Sequence, residues 1–184
     1  MVTTNTSNPA ISLRAARTSD VHAIKELVAP LAEKRILISK ESVTYFEAIQ
    51  EFLIAEVDGK IVGCGALHIM WEDLAEIRTL ATDDGWRGHG VGRALVDQLL
   101  ANAQELGVGR VFCLTFEVDF FLRNGFAVMA DQSVVDPAVY SELLRSADEG
   151  IAEFLDLARV KPNTLGNTRM IRTLPALPAG NSPG

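Results

Sequence analysis

The sequence predicts an α/β fold, a mixed sheet with helices on both faces. Three observations carry this. Two β-rich runs flank Asp58-Gly59 in "EFLIAEVDGKIVGCGALHIM" (51–70), a strong two-residue hairpin signal. A strand–helix–strand unit follows at 75–115. An amphipathic helix at 19–33 precedes the hairpin. The chain has 184 residues, a length that favours one domain with a single core.

Taken in order, residues 11–16 read as a first strand. In 19–33, Val21, Ile24, Leu27, Val28 and Leu31 recur at helical spacing. A loop around Ile36–Lys40 leads to a short helix near 42–50. The hairpin comes next, then a strand at Ala75–Ala81. There Glu76, Arg78 and Leu80 alternate with Ile77 and Thr79, which places charge on one face. Charge on a central strand is costly unless that face lines a wet cleft. The helix 90–106 shows an apolar stripe of Val91, Ala94, Leu95, Leu99, Ala103 and Leu106, closed by Gly107. A strand at 110–115 follows. Glu117 and Asp119 suit the first turn of a short helix that "RNG" ends at 123–125. Phe126–Met129 reads as a strand. Asp136-Pro137 starts a helix as N-cap and first helical residue. At least one strand falls in 150–174, with "KPNTLGN" as a loop. Residues 1–10 and 175–184 read as disordered tails around a domain at 11–174.

The net charge of −7 argues against nucleic acid or an anionic membrane surface as partner. The longest apolar stretch, Val62–Trp71, is too short for a membrane helix, which needs roughly 20 residues. The start "MVTTNTSNPA" has neither the basic nor the apolar part of a secretory signal. Cys64 and Cys113 lie in apolar runs and read as buried free thiols, consistent with a reducing cytoplasm. No His/Cys/Asp cluster has metal-ligand spacing, so no metal is expected.

Chemistry concentrates in "GWRGHGVGRAL" (85–95), just where a helix begins. The segment "RGHGVGR" carries a formal charge of +2 with His neutral, inside an acidic chain. The first N–H groups of a helix have no intrahelical partner and carry partial positive charge. Glycines let such a backbone approach an anion closely. Each charge-assisted contact contributes about 1.5–3 kcal/mol. A Walker A loop is excluded, because Gly92 is followed by Arg93-Ala94. A dinucleotide fingerprint would normally follow the first strand of its fold. On the residues alone, a merely tight strand-to-helix turn remains open beside an anion site.

The run Arg87-Gly88-His89-Gly90-Val91-Gly92 matches the signature Arg/Gln-x-x-Gly-x-Gly/Ala, and in this the chain resembles the GNAT superfamily of N-acetyltransferases. The resemblance implies a mostly antiparallel sheet splayed at its centre. It implies that acetyl-CoA is the acetyl donor, its diphosphate held by Arg87, Gly88, His89, Gly90, Val91 and Gly92. The backbone of Thr79, Leu80, Ala81 and Thr82 would serve its pantetheine arm. Where many members carry a tyrosine, Phe120 and Phe121 stand here and count with the coenzyme-binding residues.

"GCGALH" (63–68), "EIRTL" (76–80), "LTFE" (114–117), "FFLRNGF" (120–126) and "KPNTLGNTRM" (161–170) narrow the likeness. Together they resemble the acetyltransferase part of the N-acetylglutamate synthases, in their short stand-alone bacterial form. The implied reaction acetylates the α-amine of L-glutamate, or of L-glutamine, the first step of arginine biosynthesis. Glu76 lies where that family places its base, although it could instead simply pair with Arg78. The Leu80 backbone N–H is the oxyanion donor and Thr115 the hydroxyl that assists the leaving thiolate. Ile38, Lys40, Arg78, Thr79, Lys161 and Arg169 are the acceptor-binding candidates, and His68 reads as structural. Such domains often pair through C-terminal elements, so a homodimer is an open expectation. Two other readings stay open: an acetyltransferase for another amine (a protein N-terminus, polyamine or antibiotic), and an acyl-CoA-binding sensor without turnover.

Overall fold

The strand β1 (Ser12–Ala15) pairs antiparallel with β2 (Phe52–Val57). Between them run the helices α1 (Val21–Glu33) and α2 (Ser42–Glu47), the latter followed by a 3₁₀ turn at Ile49–Glu51. The computed structural model describes residues 10–38, 40–129, 137–146 and 166–175. β2 turns into β3 (Lys60–Trp71) through Asp58 and Gly59, whose φ values of 49° and 77° suit a tight hairpin. β4 (Leu74–Thr82), α3 (Val91–Glu105) and β5 (Arg110–Thr115) form the central strand–helix–strand unit. Then come α4 (Val118–Arg123), β6 (Ala127–Val128), α5 (Pro137–Leu143) and β7 (Thr168–Thr173). The first residue of α5 is Pro137, as expected, while its proposed cap Asp136, both chain ends and most of 150–174 lie outside the described residues.

Among the described residues the sheet has seven strands in the order β1-β2-β3-β4-β5-β7-β6, and only β4 and β5 pair in parallel. Their register runs from Leu74–Arg110 to Glu76–Phe112. Beyond Glu76 no further pair joins them, although both strands continue. The sheet therefore opens at its centre.

Side-chain alternation sorts the core into two faces. On one, α3 and α4 cover Ala55, Val62, Ile77, Val111 and Cys113. On the other, α1 and α2 cover Ile54, Cys64, Ala66 and Ala81. That second face carries another apolar cluster, in which Leu143 of α5 packs on Met70, Leu74 and Phe112. Glu76, Arg78 and His68 share this face by register and occupy the strip between the two clusters.

Two expectations need correction. Leu80 does not continue the alternation of Glu76 and Arg78. Arg78 pairs with Ala66 and Ala81 with Cys64, so Thr79 and Leu80 together oppose Gly65. This bulge turns Leu80 onto the α3 face, against the core there. Leu106 is not part of the α3 stripe but 65% exposed, since it caps the helix. Val96 and Leu100 are buried in the stripe instead. Gly107 does end the helix, with the Val108 N–H reaching back to the Ala103 carbonyl.

Helix α3 lies so close to β3 that Gly63 has no room for a side chain. A Cβ there would stand 2.8 Å from Val91 Cγ1 and 3.1 Å from Leu95 Cδ1. Val91 is β-branched and begins the helix that carries the glycine turn, so it cannot yield without shifting that turn. Gly63→Ala is expected to cost about 1–3 kcal/mol, read as a lower urea midpoint. An unchanged midpoint would mean that α3 is free to move away.

Candidate active site

The turn before α3 has the geometry of an anion cradle. Gly88 and Gly90 adopt φ of 83° and 86°, a region that side-chain-bearing residues avoid. Gly90 occupies the N-cap position of α3, and its carbonyl accepts the Ala94 N–H at 2.9 Å. Among the described residues, the N–H groups of Gly88, Gly90, Val91, Gly92 and Arg93 donate to no backbone carbonyl. The Val91 side chain is buried beneath them. The Arg87 guanidinium is exposed and meets Glu117 Oε1 at 3.0 Å. His89 is exposed too, its ring edge-on to Trp86 at 5.5 Å. Phe120 packs against the start of α3, within 3.4 Å of where a Cβ on Gly92 would lie.

A chain of charges crosses the sheet face beside the opening. Glu76 is only 4% exposed and its Oε2 lies 3.9 Å from Arg78 Nη1. Arg78 Nη2 donates to Glu51 Oε2 at 3.2 Å. The other Glu51 oxygen meets His68 Nδ1 at 2.8 Å. His68 stands directly opposite Glu76 in the β3–β4 register. Burial works against an ionised Glu51, yet the His68 hydrogen bond and the Arg78 charge outweigh it and hold the carboxyl below its ordinary range.

Next to this chain is a pocket of about 220 Å³. Lys40, Arg78 and Thr79 line it, with Thr44, Tyr45, Glu47, Ala48, Glu51 and Phe52. Thr79 has a φ of 56°, a strained value for a β-branched residue. The bulge that imposes it brings Thr79 to the pocket and Leu80 to the opposite face. The pocket carries both cations and carboxylates, which suits a zwitterion.

The structure thus gathers Lys40, Arg78 and Thr79 in one pocket, with Glu76 an arginine away. Ile38 is 45% exposed and does not line that pocket. Arg169 pairs with Leu114 in register and shares the Glu76 face, two strands across. Lys161 lies outside the described residues. Thr115 shares its face with Val111 and Cys113, opposite to Glu76, and its Oγ1 accepts the Glu117 N–H at 2.9 Å. Thr82 and Ala81 end β4 beside the glycine turn, the Ala81 side chain buried under α1. Phe121 is buried between Phe120 and Phe126, with ring centroids 5.1 Å from each, so Phe120 is the one of the two that borders the start of α3. Among the described residues no group of His, Cys, Asp or Glu could hold a metal ion, and no helix is long and apolar enough to cross a membrane.

Residues 22–126 match the model of the acetyltransferase (GNAT) family. The chain belongs to this family. The opened sheet is the GNAT sheet, and the matched range includes the glycine turn. Over 165 residues it is 54% identical to an amino-acid acetyltransferase of Mycobacterium tuberculosis, covering 88% of this chain and 94% of that one. A solved Mycobacterium tuberculosis structure, in complex with CoA and a second ligand, matches at a TM-score of 0.83 and 54% identity. That match covers 89% of this chain and 99% of the other. N-acetylglutamate synthase from Neisseria gonorrhoeae, complexed with coenzyme A and N-acetyl-glutamate, matches at a TM-score of 0.73 and 25% identity. It covers 90% of this chain but only 35% of that longer one.

Sequence reasoning missed Glu51, Tyr45 and the rest of the α2 wall. The one available signal was His68, a polar residue on a predicted strand with no partner in sight. Glu51→Gln is expected to lower stability at pH 7 by about 1 kcal/mol, a charge-assisted bond discounted for partial exposure. The sign with pH is set by the lowered carboxyl. Its stabilisation is complete above the ordinary value of 4.5 and is lost as pH falls through the lower folded value. Melting temperatures of the two proteins should therefore converge below pH 4.5. A gap that stays constant down to about pH 3 would rule out this account.

Proposed function

We propose that the chain is an amino-acid N-acetyltransferase that moves the acetyl group of acetyl-CoA onto the α-amine of L-glutamate, with L-glutamine as an alternative acceptor. This is the reaction that opens arginine biosynthesis. One observation carries the reading. A buried carboxylate, Glu76, stands at the last rung before β4 and β5 part, 3.9 Å from an arginine that lines a polar pocket. The near full-length likeness to an amino-acid acetyltransferase supports it.

The donor fits the chain on its own terms. Bare amides at 88 and 90–93, positive-φ glycines and the Arg87 cation suit a diphosphate. Phe120 walls the same turn. The unpaired edge of β4 beyond Glu76 suits a ligand that bears amides of its own. Acetyl-CoA supplies an activated thioester when bound.

This chain's residues do the rest. Lys40 and Arg78 draw in the acceptor's carboxylates, and Thr79 offers backbone at the pocket wall. Arg169 and Lys161 complete the acceptor set from β7 and the segment before it. The acceptor's ammonium must lose a proton, and Glu76 takes it directly or through a water. The Leu80 N–H, at the bulge, stabilises charge that develops on the acetyl oxygen. The Thr115 oxygen accepts the Glu117 N–H, and its own proton is left to offer a hydrogen bond to the departing sulfur. A thiolate with a parent pKa near 8.5 needs only that modest help.

Purified protein is incubated with acetyl-CoA and individual amino acids, peptides or polyamines, and thiol release is followed. Release confined to glutamate and glutamine is expected. Release only with peptides or polyamines would transfer the chain to another acceptor class, and binding of CoA without release would make it a sensor. Glu76→Gln is expected to lower kcat by about 10²-fold or more with acetyl-CoA affinity unchanged. An unaltered kcat would take Glu76 out of the base role.

A further inference from the structure

Tyr45 is a buried polar residue that the reading above leaves without a task. It is 3% exposed and sits on α2, where its ring packs in the α1–α2 core and meets Phe52 at 6.1 Å. It also lines the pocket that holds Lys40, Arg78 and Thr79. Among the described residues its hydroxyl makes no hydrogen bond. The hydroxyl oxygen is not sealed in the core either, since it is absent from the fully enclosed polar atoms. A buried phenol at a pocket wall, with its ring clamped and its hydroxyl not bonded within the described residues, is already oriented before any ligand arrives.

We propose that the Tyr45 hydroxyl is a binding group of the acceptor site, donating a hydrogen bond to a carboxylate oxygen of the amino acid. This rests on the acetyltransferase reading and adds a residue to it. Lys40 and Arg78 bring cations to the same pocket, so an acceptor carboxylate is directed there. A lysine at the end of a flexible stem supplies charge but little direction. A phenol whose ring is fixed supplies direction. Burial raises the Tyr45 pKa above its ordinary value, so the proton needed for donation stays in place. A site built to hydrogen-bond a substrate oxygen discriminates against analogues that lack it.

Tyr45→Phe removes the hydroxyl and keeps the ring that packs on Phe52. Steady-state kinetics with acetyl-CoA are compared for wild type and variant, using L-glutamate and L-glutamine as acceptors. The expected result is an acceptor KM for glutamate raised about tenfold, as for one lost hydrogen bond to a charged group. The kcat should stay within about twofold and the KM for acetyl-CoA unchanged, with no fall in Tm. If glutamate is affected and glutamine is not, the bond goes to the side-chain carboxylate. If both shift equally, it goes to the α-carboxylate. Either result supports the proposal. An unchanged acceptor KM overturns it, whether or not Tm falls. A wild-type protein inert toward every amino acid would instead overturn the functional reading, and the proposal with it.

Discussion

Strand β4 carries two demands that a regular strand cannot meet together. It must pair with β3 along most of its length, and it must part from β5 after Glu76. Pairing on one side is kept by a bulge that sets Thr79 and Leu80 against Gly65 alone. Parting on the other side leaves backbone groups unmatched near the middle of a sheet, an arrangement that is unfavourable unless something else bonds to them. The strain is concentrated at Thr79, a β-branched residue at positive φ. Three of the features read as functional are strung along the chain around that point: the carboxylate before it, the pocket wall at it, and the glycine turn after it.

The electrostatics follow from the same geometry. Arg78 leaves β4 between Glu76 and Glu51, so one cation faces two carboxylates. Glu51 in turn is shared with His68, which stands across from Glu76. The arginine is thereby fixed in direction while still reaching the pocket. At the other end of the opening the positive potential comes from peptide amides together with Arg87. An acidic protein can hold anions at these two places because each is local and each is geometrically defined.

Most of the architecture was legible from periodicity and turn chemistry. Asp58-Gly59 announced the hairpin, and the apolar spacing of 19–33 and 90–106 announced the helices. The glycine turn was legible because its residue types are forced by backbone geometry at Gly88 and Gly90. The bulges were not legible. Register in β2–β3 shifts between Ala55 and Glu56, which moves every later pair by one residue. No counting from the turn would have brought His68 beside Glu51. Leu80 was placed on the wrong face for the same reason: strict alternation holds only until a residue is inserted. Two adjacent phenylalanines cannot be told apart by composition, and only packing shows that Phe120 borders the glycine turn while Phe121 faces the core.

The two thiols lie on β3 and β5, the strands on either side of β4. Cys64 sits on β3 with its sulfur 3.7 Å from the Thr79 carbonyl, and Cys113 lies on β5. Burial pushes Cys64 up to about 12 and Cys113 higher still. Mixed disulfides form only through a thiolate. A catalyst that liberates a mercaptan at each turnover thus keeps its own sulfurs out of exchange with its product.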